Sequence, residues 1–270
     1  MTLTTLLRFK SDIDNLRHQL DIYSSREIRL ARDEMESLTS RHKRRNRCFH
    51  KLAELDRQFN LCKNVDTYLD LCGGPGQFAK YMHSVNLNCR GYGVTLRNSP
   101  CDYTFAHPNF SKIYGRDNTG DIFDEYVRFE IKLLCENNCD LILADGAFDV
   151  AGRENYQEKL TLPLIQKEID IIYMCLKPGG SCIIKIFDTY EAKTARALND
   201  FVSHFAEHTV YKPPSSRPAN SEKYLVCQVF DKNTPKTKIT AKLNIAKFAT
   251  KQKKALQRLI GIIKSKKVQT

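Results

Sequence analysis

No run of about 18 consecutive apolar residues occurs anywhere in the chain, so no membrane-spanning helix and no membrane partner are expected. The opening residues, MTLTTLLRFKSDID, reach charge too soon for the apolar core of a secretory signal. A soluble, intracellular protein is therefore expected, in the nucleus or the cytoplasm with the nucleus favoured. Metal-ligand pairs are also missing. Cys135-Glu-Asn-Asn-Cys139 has no second ligand pair and no nearby histidine, which argues against zinc and leaves no metal expected. Ten cysteines are present, yet Cys72, Cys182 and Cys227 sit inside apolar, strand-like runs. They read as reduced thiols packed as small hydrophobes rather than as a disulfide framework.

Acidic residues are absent beyond Asp231, where twelve lysines and arginines follow and match the whole formal excess of +12. Clustered positive charge fits a polyanionic partner, because neutralising phosphates releases counterions. A second cluster, Arg41-His-Lys-Arg44-Arg45-Asn-Arg47, stands directly before Phe49-His-Lys51-Leu-Ala-Glu-Leu. Such a run is either a solvated face or an RNA contact. Its position makes Arg44, Arg45 and Arg47 candidates for the second.

With 270 residues and 41% hydrophobic content, the chain can bury one substantial α/β core with short appendages. Ile13, Leu16, Leu20 and Tyr23 fit a helix covering one face of an N-terminal helical and basic segment over 1–47. From 48 to 232 the pattern alternates. Strands are predicted over 65–72, 90–95, 140–144, 181–186 and 224–230, and helices over 77–84, 122–136, 158–176 and 190–205, with Lys177-Pro-Gly-Gly180 as a helix stop. Repeated β-α-β units imply a mostly parallel sheet covered on both faces, with ligands at the carboxyl ends of its strands. Over 233–270, Ile245, Phe248, Leu256, Leu259, Ile260 and Ile263 recur at near-helical spacing among lysines. This predicts a basic amphipathic helix that could dock on the domain, extend the RNA path or lie on an anionic membrane surface, docking together with an RNA contact being favoured.

Asp70-Leu-Cys72-Gly73-Gly74-Pro75-Gly76-Gln77-Phe78 follows the first predicted strand and opens a helix. Its glycines let backbone approach a ligand closely. It lacks both the dinucleotide spacing G-x-G-x-x-G and the lysine of a P-loop, so it names no ligand by itself. Asp145 follows the strand DLILA, Lys185 lies within CIIKIF, and Glu222 precedes the last strand, while Lys51 sits in the basic entry segment. Transfer of a group to a hydroxyl oxygen needs something to bias that hydroxyl toward alkoxide. A lysine whose pKa is lowered by burial and like charges can supply it, which makes two lysines with two acidic partners a sensible constellation. A lysine among Ile183, Ile184, Ile186 and Phe187 costs several kcal/mol unless paired.

Taken with Gly93-Val-Thr-Leu96, Gly120-Asp121-Ile122, Ala144-Asp145-Gly146-Ala-Phe148, Gly152-Arg-Glu154-Asn155, Lys185-Ile-Phe-Asp188 and Ser216-Arg-Pro-Ala-Asn-Ser-Glu222, these segments resemble the RrmJ/FtsJ-type ribose 2'-O-methyltransferases from about Arg45 to Phe230. Within that family the likeness is to the cap-specific messenger-RNA enzymes, eukaryotic and viral, including baculovirus enzymes of similar size. The resemblance implies a Rossmann-like sheet, S-adenosylmethionine as cofactor, capped mRNA as partner and, with it, other capping or transcription proteins. It implies a Lys-Asp-Lys-Glu tetrad at Lys51, Asp145, Lys185 and Glu222. Lys185 is then the central base or orienting residue, which Asp145 tunes and positions. By the same likeness Asp70, Cys72 to Phe78 and Asp145 serve the methionine part of the cofactor, and Asp121 with Ile122 its adenine. Asn220 lies near the target ribose, Glu154 meets the methylguanine edge, and Asn155, Ser216 and Arg217 line the RNA side.

The implied activity is methylation of the first transcribed nucleotide, cap 0 to cap 1. The alternatives are the same chemistry on another RNA such as ribosomal RNA, or an RNA-binding module without catalysis. A dehydrogenase is disfavoured by the glycine spacing.

Overall fold

The structure, a computed structural model, describes residues 3–37, 46–150, 152–232 and 245–267. Arg44 and Arg45 fall outside them. In chain order the elements are α1 (Leu3–His18), α2 (Ser25–Ser37), α3 (Arg47–Phe59), β1 (Thr67–Leu71), α4 (Gln77–Val85), β2 (Arg90–Val94), β3 (Phe110–Ile113), α5 (Glu125–Cys135) and β4 (Cys139–Ala144). They continue as α6 (Gln157–Cys175), β5 (Leu176–Ile186), α7 (Ala192–Val202), β6 (Phe205–Tyr211), β7 (Lys223–Phe230) and α8 (Ile245–Lys267). The strands form one sheet in the order β3-β2-β1-β4-β5-β7-β6. β1 to β5 run parallel, and β7 runs antiparallel between β5 and β6. The chain leaves β1 toward one edge and returns through β4 toward the other. The crevice beyond the carboxyl ends of β1 and β4 is thus the switch point where ligands bind in such sheets.

Side chains alternate across the pleat. Ile142, Ala144 and Ile184 face one core with Leu164, Ile165 and Leu198 of α6 and α7. Leu141, Leu143 and Ile183 face the other with Leu52, Leu55, Phe78 and Met82 of α3 and α4. Two further steps along the same parity carry Asp145 and Lys185 onto the α3 side, where Lys51 waits. All ten cysteines are free thiols.

α1, α2 and α8 form a third cluster, in which Ile13, Leu20, Ala31 and Met35 pack on Leu256, Leu259, Ile260 and Ile263. The basic tail helix does dock. The single N-terminal helix expected from the periodicity is a pair, broken at 19–24.

Four elements differ from expectation. β3 and β6 escape prediction because both are edge strands. Only the two ends of Phe110–Ile113 are buried, and β6 buries only Phe205, so neither offers an apolar run. The helix expected through Phe205 stops at Val202 to make room for β6. Lys177-Pro-Gly-Gly180 is not a free stop: α6 ends at Cys175, and the four residues lie inside β5. There Gly179 takes a φ of 79° and the register shifts between Cys139 and Leu141. The Pro-Gly-Gly bends a strand rather than separating two elements.

Candidate active site

The glycine turn after β1 is built from close approaches. A side chain at Gly74 would place its Cβ 1.5 Å from the Cys101 carbonyl oxygen, and one at Gly73 would lie 2.1 Å from the Asp70 carboxylate. Gly76, at φ 101°, starts α4 in a conformation that L side chains avoid. Asp70 and Phe78 shape the turn from beneath. Asp70 is fully buried, its carbonyl and Oδ2 accept from the Tyr103 hydroxyl at 2.9 and 3.1 Å, and Phe78 packs near Tyr224 in the core. Burial, reinforced by Asp145, pushes the Asp70 carboxyl well above the ordinary range. Asp70 Oδ1 and Gln77 Oε1 are buried without a hydrogen-bond partner. A turn with crowded glycines and unsatisfied polar oxygens fits a ligand that brings its own donors. Gly120, at φ 63° and with its Cβ position 1.9 Å from Thr95 O, holds Asp121 and Ile122 against the end of β2. The Asp121 carboxylate accepts the Phe123 N–H, and Ile122 is buried in the core.

Four charged side chains converge beyond β4 and β5. Lys51 from α3 meets Glu222 at 2.8 Å, and Lys185 from β5 meets Asp145 Oδ1 at 2.8 Å while donating to the Asp145 carbonyl at 2.7 Å. Burial opposes ionisation of Glu222, but Lys185 and Lys51 outweigh it and hold the carboxyl at about 2. Burial by itself would lower Lys185. Asp145 and Glu222 outweigh it too, so the ammonium is held above the ordinary lysine range. This corrects the expected lowering of the lysine pKa: two carboxylates outweigh desolvation.

Several partners of this cluster had no sequence signal. The Tyr224 hydroxyl donates to Asp145 Oδ1 at 2.7 Å, the same oxygen that meets Lys185. Lys212, just beyond β6, donates to the Asn220 carbonyl and side chain and to the Glu222 carbonyl at 2.7–2.9 Å. Burial and the neighbouring Lys223 push its ammonium down to about 7. Glu54 accepts from both N–H and hydroxyl of Ser215, tying α3 to the loop that delivers Glu222.

Glu168 of α6 is a buried carboxylate beneath the site. Its Oε1 accepts the Gly146 N–H at 3.1 Å, and a side chain at position 146 would sit 2.3 Å from that oxygen. Glycine after Asp145 therefore lets the carboxylate reach the backbone. Burial, partly countered by Lys185, raises Glu168 to about 8 from 4.5. The folded state thus binds this proton more tightly than the unfolded chain. Stability from this group is full below the unfolded pKa and is lost, by a few kcal/mol, as pH rises from about 4.5 to about 8. Glu168→Gln should flatten the fall of melting temperature between about pH 5 and about pH 8. Equal pH slopes in calorimetric melts of both proteins would refute this.

The residues expected on the RNA side divide. Glu154, Arg217 and Asn220 line a cavity of about 480 Å³ between the 152–157 and 217–221 segments and the α1–α2 pair. Ser216 is buried, and its hydroxyl donates to Glu222 at 2.7 Å, so it supports the tetrad rather than facing RNA. Asn155 turns toward α1, 3.2 Å from His18 Nε2 and 3.5 Å from the Asp14 carbonyl. Arg47 opens α3. α1 is further pinned by Arg17, which pairs with Asp188 at 2.9 Å beyond β5.

A mostly parallel sheet with a glycine turn at its switch point and a lysine–carboxylate cluster beside it fits a Rossmann-like methyltransferase. Residues 44–230 match the FtsJ-like methyltransferase family, and the chain belongs to that family. It is 50% identical over 219 residues to the "Cap-specific mRNA (nucleoside-2'-O-)-methyltransferase" of Autographa californica nuclear polyhedrosis virus, covering 80% of this chain and 83% of that protein. It is 36% identical over 203 residues to "Cap-specific mRNA (nucleoside-2'-O-)-methyltransferase 1" of Trypanosoma brucei brucei, covering 68% of this chain and 55% of that protein. The chain thus spans about half the length of the trypanosome protein. Among solved structures, a putative ribosomal RNA methyltransferase from Plasmodium falciparum shares the fold at TM-score 0.52 and 23% identity, over 71% of this chain and 98% of that one. No helix among the described residues is long and apolar enough to cross a membrane.

Proposed function

We propose that the protein transfers a methyl group from S-adenosylmethionine to the ribose 2'-oxygen of the first transcribed nucleotide of capped mRNA, converting cap 0 to cap 1. The observation that carries this reading is the convergence of Lys51, Asp145, Lys185 and Glu222 beside the glycine turn. Residues 72–77 would hold the methionine part of the cofactor, and Asp121 with Ile122 its adenine. Bound there, the cofactor supplies an electrophilic methyl group and leaves as S-adenosylhomocysteine.

The chain's own residues prepare the nucleophile. Lys185, kept as an ammonium by two carboxylates, acts as the orienting donor: it presents an N–H to the 2'-oxygen and stabilises the negative charge that develops there as the O–CH3 bond forms and the hydroxyl proton passes to solvent water. Asp145, held by Lys185 and Tyr224 through one oxygen, fixes the direction of that donor. Lys51 and Glu222 complete a preorganised charge network that needs no rearrangement during the reaction.

Substrate choice rests on a relative bearing a cap-specific name at 50% identity over four fifths of both chains. Glu154, on the cavity beside Asn220, supplies a carboxylate suited to a cationic methylguanine. Methyl incorporation should be at least about tenfold faster into methylguanosine-capped RNA than into uncapped RNA of the same sequence, with the label at the first ribose. Equal rates would leave a 2'-O-methyltransferase of another RNA, and no incorporation would leave a binding module.

A further inference from the structure

β6 and β7 pair as far as Tyr211 and Tyr224. The connection between them, residues 212–222, carries Glu222 of the tetrad and, two residues earlier, Asn220. Beyond the last paired residues no ladder holds the two arms of this connection together. Its outgoing arm is also poor in donors, because Pro213 and Pro214 have no N–H. Carbonyls on the returning arm must therefore find donors elsewhere.

Lys212 supplies them. An ammonium has three N–H groups, and three oxygens receive them: the Asn220 carbonyl at 2.7 Å, Asn220 Oδ1 at 2.9 Å and the Glu222 carbonyl at 2.8 Å. The first residue of the connection thus clasps its last turn, and a side chain continues the cross-links that the backbone makes along β6 and β7. With Oδ1 taken by the clasp, the Asn220 amide has only its NH2 to offer a ligand. The groups around the ammonium are of both signs. Glu222 and Asp188, beyond β5, favour it, while Lys223 of β7 and Lys51 of α3 oppose it; burial weighs most, and the group is held at about 7. Below that pH three N–H groups meet three oxygens. Above it a neutral amine has two N–H groups and a lone pair that repels the third oxygen, so the clasp loosens.

We propose, on the methyltransferase reading of this site, that Lys212 is a positioning residue for the transfer, holding Asn220 and Glu222 in the pose that receives the target ribose. None of its three hydrogen bonds reaches residues 72–77 or Asp121. Its effect therefore falls on RNA and not on the cofactor.

The test measures methyl transfer to capped RNA, and to uncapped RNA of the same sequence, from about pH 6 to about pH 9 in the full chain and its Lys212→Met and Lys212→Arg variants, with calorimetry for S-adenosylmethionine. At about pH 6, Lys212→Met should lower kcat/KM for RNA by about tenfold and leave cofactor affinity unchanged. Since kcat/KM reports ionisations of the free enzyme, the parent should lose its advantage as pH rises through about 7. Lys212→Arg stays charged, so its ratio to Lys212→Met should be flat across the range. A folded Lys212→Met with the parent's kcat/KM overturns the assignment. So does a loss that is equal at every pH or shared by cofactor affinity, because a merely structural lysine would give that result. If Lys212→Met does not fold, Lys212→Arg decides: a parent-to-arginine ratio that falls through about pH 7 supports the clasp, and a constant ratio overturns it. The cap reading fails separately. Equal transfer to capped and uncapped RNA sinks that reading, while a pH-dependent gap between parent and Lys212→Met on either RNA still supports Lys212.

Discussion

Lys185→Met is expected to slow methyl transfer by roughly 10²–10⁴-fold while leaving cofactor affinity nearly intact. Methionine keeps the length and apolar stem of the side chain and removes only the ammonium. Asp145 still accepts from the Tyr224 hydroxyl, and Glu222 still pairs with Lys51 and Ser216. Neither carboxylate is left without a donor, so the stability loss should fall below the ~3–5 kcal/mol typical of breaking a buried pair. What disappears is the donor aimed at the developing charge on the ribose oxygen. Lys185 also heads the groups that keep Glu222 at about 2, so the variant should titrate Glu222 at a higher pH. Methyl incorporation into capped RNA and calorimetry with the cofactor separate chemistry from binding. A folded variant that retains full incorporation would remove Lys185 from the centre of the mechanism.

The central place of Lys185 also shows how far a linear chain discloses its site. The tetrad was legible because most of its members end or adjoin an apolar strand, where a charge has no reason to be unless it is paired. Lys185 among Ile183, Ile184, Ile186 and Phe187 is the clearest instance. Glu168 was not legible. It sits at helical spacing in α6 with Lys167 and Asp170 near it in sequence, and a carboxylate there reads as a solvated face until the fold turns it inward onto Gly146. Lys212 and Tyr224 were hidden for a related reason: the antiparallel pairing of β7 with β5 and β6 brings them to Glu222 and Asp145, and edge strand β6 has no apolar run to announce it. The Gly-Arg-Glu-Asn segment illustrates the remaining limit. Glu154 and Asn155 are neighbours in sequence, but one faces the cavity and the other reaches α1. That division depends on His18, 137 residues away along the chain.

Cutting the chain after Asp231 should do more than remove charge. α8 buries Leu256, Leu259, Ile260 and Ile263 against α1 and α2, each contributing about 1.5–3 kcal/mol before the entropy of ordering the helix is subtracted. Without this cover the N-terminal pair loses its apolar partner. The truncated protein is therefore expected to melt at a lower temperature and to bind RNA more weakly, with a flatter dependence on salt. Truncation removes docking and charge together, but the helix offers a way to separate them. Lys253 and Lys266 pair with Asp12 and Glu34 on α1 and α2, whereas Lys247, Lys251, Lys254 and Lys264 are exposed. Replacing those four with glutamine keeps the buried face and both pairs. If this face follows the RNA backbone, the slope of log affinity against log salt should drop by about 0.7 for each phosphate no longer neutralised, with melting unchanged. An unchanged slope in the four-glutamine protein, beside a strong effect of truncation, would assign α8 to holding the helix pair in place rather than to the RNA path.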